Sequence, residues 1–240
     1  MELSSNNRFT KCIELLLQGK IICSVLCPDL YRYVLEPNEP GEISNEERIQ
    51  LFLGNINRKL VRTSDDKGFY CVVLDKESLQ AKNSARAKLK EAAYQLDPFV
   101  KWMRIVRSCS KDIRPIEATD IIKPSELIGS LEESEILRNQ LKEVANSLCS
   151  GNQSNMTDIK RILQSVLKQL VKDEYLVDVN DGLIYKATAK WTRLYEYMEF
   201  IAENEGFGLE SLENNPGYQT DLFSANGNTA SYSSDESNPV

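Results

Sequence analysis

The residues best placed to do chemistry in this chain are cations at helical spacing. Lys160, Gln164, Lys168 and Lys172 recur at every fourth position, with Arg161 beside them. Lys101, Arg104 and Arg107 recur at every third, and Lys82, Arg86 and Lys90 at every fourth. Residues three or four apart share a helix face, so each set predicts one outward basic stripe. Stripes of this kind neutralise phosphates without reading bases. A sequence-reading helix would instead aim Arg, Asn or Gln at base edges, and here lysine dominates. A solvated helix face and ion pairing with a partner protein are the two plainer readings of the same residues.

Other chemistry is poorly provided for. The chain has no histidine, which excludes Ser–His–Asp and Cys–His catalysis and most zinc and non-haem iron sites. The six cysteines, Cys12, Cys23, Cys27, Cys71, Cys109 and Cys149, are scattered without a CxxC pair. They read as buried thiols of a reducing compartment. Two carboxylate pairs invite a catalytic reading. Asp178 and Asp181 flank a turn, however, and Glu132 and Glu133 fall in the first turn of a helix, where acids favour the dipole. No GxxxxGK phosphate loop occurs, so any ATP hydrolysis must belong to a partner. The expectation is therefore no catalytic residue, no cofactor and no metal.

These stripes must be carried by a larger frame. Phe9, Ile13, Leu16 and Leu17 predict a helix over 8–18, ended by Gly19. KIICSV at 20–25 reads as a strand, and Pro28-Asp29 opens a short helix. Ser44 and Glu47 form a capping box for a helix over 44–60, with Ile49, Phe52, Leu53, Ile56 and Leu60 inward. LVRTS, DDKG and FYCVVL then read as strand, turn and strand. Residues 76–96 are rich in helix formers, and Asp97-Pro98 is expected to interrupt them before a helix at 99–109.

The second half echoes the first. Ser125 begins a short helix, and Ser130 with Glu133 is read as a capping box for a helix to about 148. Thr157 is expected to cap a strongly amphipathic helix carrying Ile159, Ile162, Leu163, Val166, Leu167, Leu170 and Val171 inward. EYLVDV, Asn180-Asp181-Gly182 and LIYKA form a second hairpin, whose first strand reads as about four residues longer than its counterpart. A last helix follows at 189–203. Helix, strand, helix, helix and hairpin is the order of a winged helix. The expected fold is mainly α with small β-hairpins: a first winged-helix domain at 1–75, a basic helical linker at 76–98, and a second winged-helix domain with a C-terminal helix at 99–204. An acidic tail at 205–240 is expected to be disordered.

Charge is distributed unevenly over this frame. The net charge is −7, but residues 205–240 hold six acidic residues and no basic one, leaving residues 1–204 at −1. Residues 76–114 carry ten basic and four acidic residues. A basic patch beside an acidic tail is compatible with nucleic-acid binding and its modulation. No apolar run approaches the ~20 residues that span a bilayer, and the first residues lack the pattern of a secretory signal. A cytoplasmic protein with no membrane association is expected. Leu51, Tyr197 and Phe200 lie off the inward stripes of their helices and are expected at a protein interface.

LLLQGKIICSVLCPDLYRYV (15–34), NEERIQLFLGNINRKLVRT (45–63) and GFYCVV (68–73) resemble the first winged helix of MukE/MksE-type subunits of bacterial condensin-like complexes. IIKPSELIGSL (121–131) and DIKRILQSVLKQLVKDEYLV (158–177) resemble the second. The resemblance spans about residues 8–200. It implies a homodimer that binds a kleisin subunit, which bridges the heads of an SMC ATPase on chromosomal DNA, or in a related system acting against plasmids. Non-specific contact with double-stranded DNA and a nucleoid association go with that role. A stand-alone tandem winged-helix regulator or replication initiator is the alternative.

Overall fold

The computed structural model describes residues 5–37, 42–74, 96–109, 114–149 and 158–203. The described chain is mainly helical, with two small antiparallel sheets of three strands each. In the first half, α1 (Ser5–Leu17), β1 (Ile22–Cys23), α2 (Pro28–Leu35) and α3 (Asn45–Asn55) lead into a hairpin of β2 (Arg58–Arg62) and β3 (Gly68–Val73). In the second half, α4 (96–109), β4 (Ile121–Ile122), α5 (Pro124–Glu133), α6 (Glu135–Leu148) and α7 (Ile159–Lys172) precede β5 (Leu176–Asp178) and β6 (Tyr185–Ala187). The helix α8 (Lys190–Glu203) follows. No helix among the described residues is long and apolar enough to cross a membrane.

The two sheets are built alike. Each has a short early strand added to the second strand of a later hairpin, in the orders β1-β3-β2 and β4-β6-β5. Ile22 lies opposite Phe69 and Arg58 opposite Val73 in the first. Ile122 lies opposite Tyr185 and Leu176 opposite Ala187 in the second. Helices pack against each sheet, α1, α2 and α3 against the first and α7 against the second. Leu16, Ile22, Tyr33, Ile49, Leu53 and Phe69 are buried together in the first half. Trp102, Leu131, Leu141, Val166, Leu170 and Trp191 are among those buried in the second. A third, smaller cluster joins the halves: Ile21 and Cys23 pack with Ala118 and Ala189.

Local chemistry explains the boundaries, including those that differ from expectation. The Ser44–Glu47 capping box forms in both directions. The helix it opens stops at Asn55, not at 60. Asn57 takes a left-handed conformation (φ 58°), and the Leu60 amide donates to Gln50 Oε1 at 2.9 Å. Leu60 is therefore buried from a strand, and Ile56 lies outside the helix and exposed. The strand expected at 20–25 shrinks to Ile22–Cys23 because only these two residues find partners on β3.

Ser130 does not cap a helix; it lies inside α5. The break comes at Ser134, which leaves the helical region (φ −115°, ψ 116°) and accepts the Leu137 amide at 3.4 Å. Asp158, one residue past the expected Thr157, caps α7 by accepting the Lys160 amide at 3.0 Å. Leu96, Asp97 and Pro98 are already helical, so the helix expected at 99–109 includes them, and Leu96 packs on the second core. The first strand of the second hairpin is the shorter one, at three residues against five. Asp178 starts the turn early, its carboxylate accepting the amides of Asn180 (3.2 Å) and Gly182 (2.9 Å).

Candidate nucleic-acid interface

The burial pattern of α7 turns its basic stripe outward. Ile162, Leu163, Val166, Leu167 and Leu170 are buried, which leaves Lys160, Arg161, Gln164, Lys168 and Lys172 exposed. From Lys160 to Lys172 the stripe runs roughly 18 Å at 1.5 Å per residue. Its first turn is partly neutralised. Lys160 stands 3.7 Å from Glu132 and Arg161 3.6 Å from Asp158, both exposed pairs of little strength. Lys168 and Lys172 have no acidic partner among the described residues, so the usable positive charge lies toward the C-terminal end of the helix.

The other two stripes fare differently. On α4, Arg104 and Arg107 are exposed, but Lys101 is held by Glu143 at 2.8 Å and Asp97 at 3.2 Å. The bond to Glu143 raises its pKa above the ordinary lysine value. That lysine ties α4 to α6 and does not extend the α7 stripe. Lys82, Arg86 and Lys90 lie outside the described residues, as do the tail at 205–240 and most of the linker expected at 76–98.

Neither hairpin presents cations at its tip. The turn of the first, Thr63–Gly68, is clamped onto the second half. Thr192 Oγ1 donates to Asp65 at 2.7 Å, Glu196 accepts the Ser64 amide at 2.8 Å, and Lys67 Nζ donates to the Ala118 carbonyl at 2.9 Å. A Cβ on Gly68 would lie 2.8 Å from Ala189 Cβ and 3.0 Å from Ile21 Cγ2, so the strand rests directly on the start of α8. The tip of the second hairpin is open but apolar and acidic. Val179 and Leu183 are 58% and 65% exposed on either side of Asn180-Asp181-Gly182.

The same joint holds the residues that sequence reasoning missed. Arg193 lies with its guanidinium 3.9 Å from the ring centres of both Tyr70 and Tyr197. It also donates to the Tyr70 hydroxyl and to Glu196, each at 3.1 Å. Lys20 forms an ion pair with Glu174. Beside these contacts a cleft of about 650 Å³ is lined from both halves, by Lys20, Arg58 and Tyr70 on one side and Lys190, Arg193 and Tyr197 on the other. Burial lowers the pKa of Lys190, whose ammonium donates to the Asp173 carbonyl at 2.7 Å.

Of the expected interface residues, Leu51 is 60% exposed on α3. Phe200 is partly exposed near the end of α8, and Tyr197 is drawn into the arginine sandwich. Among the described residues no three His, Cys, Asp or Glu side chains converge in a way suited to a metal ion. All six cysteines are free thiols. Neither a family model nor a curated relative matches this chain.

Proposed function

We propose that this chain is a non-catalytic subunit built of two winged helices, of the MukE/MksE type, working within a bacterial condensin-like complex. The observation that carries the reading is the double occurrence of one plan. Helix, short strand, helices and hairpin recur, and each time the short strand pairs with the hairpin's second strand, as β1-β3-β2 and β4-β6-β5. The second unit carries one extra helix, α6, before the amphipathic α7.

The exposures favour a protein scaffold with auxiliary DNA contact. One hairpin is spent on the internal joint, and the other ends in Val179 and Leu183. Leu51 and Phe200 offer apolar contacts for a kleisin segment or a second copy. The basic face of α7 would touch phosphates of double-stranded DNA without base specificity. Residence in the cytoplasm, on the nucleoid, follows from that role.

The deciding experiment is co-purification with a kleisin subunit and a long coiled-coil SMC ATPase from the same cell. A stable complex, weakened by Leu51→Asp, is expected; no association between correctly folded partners would end the reading. In DNA binding, affinity should be weak, insensitive to sequence and steeply salt-dependent. Lys168→Glu with Lys172→Glu should lower it by roughly tenfold or more, since each lost phosphate contact removes released counterions. The exposed face of α7 also suits a stand-alone regulator, and tight binding to one operator at physiological salt would favour that role.

A further inference from the structure

We propose that the cleft between the two halves binds a small organic anion with a flat aromatic body, of nucleoside-monophosphate size. The inference does not rest on the function proposed above. Its first support is capacity. A cleft of about 650 Å³ falls within the ~300–1,000 Å³ of typical small-ligand sites.

The second support is charge. Lys20, Arg58, Lys190 and Arg193 line the cleft against one carboxylate, Glu174, among the described residues. Three of these cations are already held: Lys20 by Glu174, Lys190 by the Asp173 carbonyl, and Arg193 by Glu196 and Tyr70. Among the described residues Arg58 meets only the Cys71 sulfur, at 3.9 Å. Its guanidinium keeps a fork of donors that matches a phosphate or carboxylate. Burial lowers the pKa of Lys190, and an anion beside it would restore its preference for the charged form.

The third support is the aromatic wall. Tyr197 lines the cleft and is 39% exposed, with Arg193 stacked 3.9 Å from its ring centre. A ring fixed in this way is a ready platform for a planar body. Residues that serve only as cement between two halves would close the gap between them. Here a polar space remains, with positive charge in excess and an aromatic floor.

A ligand in this space touches both halves, so it binds the folded protein and not the unfolded chain, and it raises the melting temperature. The test titrates the full chain with adenosine 5′-monophosphate, followed by calorimetry and thermal unfolding. Submillimolar binding with a rise in Tm is expected. Adenosine and inorganic phosphate, each carrying half of the recognised chemistry, should each bind at least about tenfold more weakly. Arg58→Gln should weaken binding about tenfold or more. Arg58→Lys, which keeps the charge but loses the fork, should fall between it and the parent chain. Lys123→Gln, at an exposed lysine that does not line the cleft, should leave the affinity unchanged. No binding of the nucleotide at millimolar concentration would overturn the proposal, as would equal affinity for inorganic phosphate or indifference to Arg58→Gln in a folded variant. Binding of a hexaglutamate peptide but not of the nucleotide would overturn it in favour of a peptide partner.

Discussion

Arg193 concentrates more of the joint's chemistry than any neighbouring side chain. It stacks on two tyrosine rings and donates to Tyr70 and Glu196. Truncation in Arg193→Ala removes these contacts together and leaves Tyr70 and Glu196 with fewer partners. A loss of about 1–3 kcal/mol is expected, measured as a lower urea midpoint. A loss no larger than that of an ordinary surface substitution would show that the sandwich is decorative. The thiols make a second prediction. Burial pushes Cys27 up to about 11 and Cys12 up to about 12, against 9.0 for an ordinary thiol. Between these values the native chain keeps protons that the unfolded chain has released. Stability should therefore fall as pH rises above about 9 and level off only beyond the folded values. Urea midpoints measured from neutral to alkaline pH check this, and Cys27→Ala should flatten the decline. A midpoint that does not move would refute it.

At the scale of elements, much was legible and the losses have physical causes. The Ser44 capping box, the α7 stripe and both hairpins depend on short-range patterns, and all three are present in the fold. The ends of α3 and α5 were not legible. Apolar residues continue at helical spacing past Asn55, but the chain turns there because Gln50 captures the Leu60 amide. Ser130 and Glu133 satisfy the box pattern, yet the real break needs Ser134 in an extended conformation. The basic stripes were legible as spacing, but Lys101 was lost to Glu143, 42 positions away in the chain, a pairing no local pattern shows. Likewise, Tyr70 and Arg193 are separated by 123 positions, so the joint and its cleft had no signal in the sequence. Two substitutions test the elements. Ser44→Ala should cost about 1 kcal/mol, since the Glu47 amide loses its acceptor, the Ser44 hydroxyl. Gly68→Ala should cost about 1–3 kcal/mol by overpacking, because its Cβ would stand 2.8 Å from Ala189. Equilibrium unfolding measures both, and a neutral Gly68→Ala would mean that the contact yields easily.

Across the whole molecule, the two cores are stitched by a buried cluster, by hydrogen bonds from one hairpin turn and by the Lys20–Glu174 pair. The halves should consequently unfold together. Both tryptophans, Trp102 and Trp191, belong to the second core, so their fluorescence follows that half alone while circular dichroism follows both. Coincident transitions from the two probes are expected, and separated midpoints would show that the halves melt independently. The tightness at Gly68 reaches further than stability. With backbone laid against Ala189 and no side chain to slide on, the spacing between the outer faces of the two halves is set as on a ruler. A partner gripping both faces would make its second contact at a high effective concentration once the first had formed. Loosening the joint would then erode avidity without altering a single residue that the partner touches.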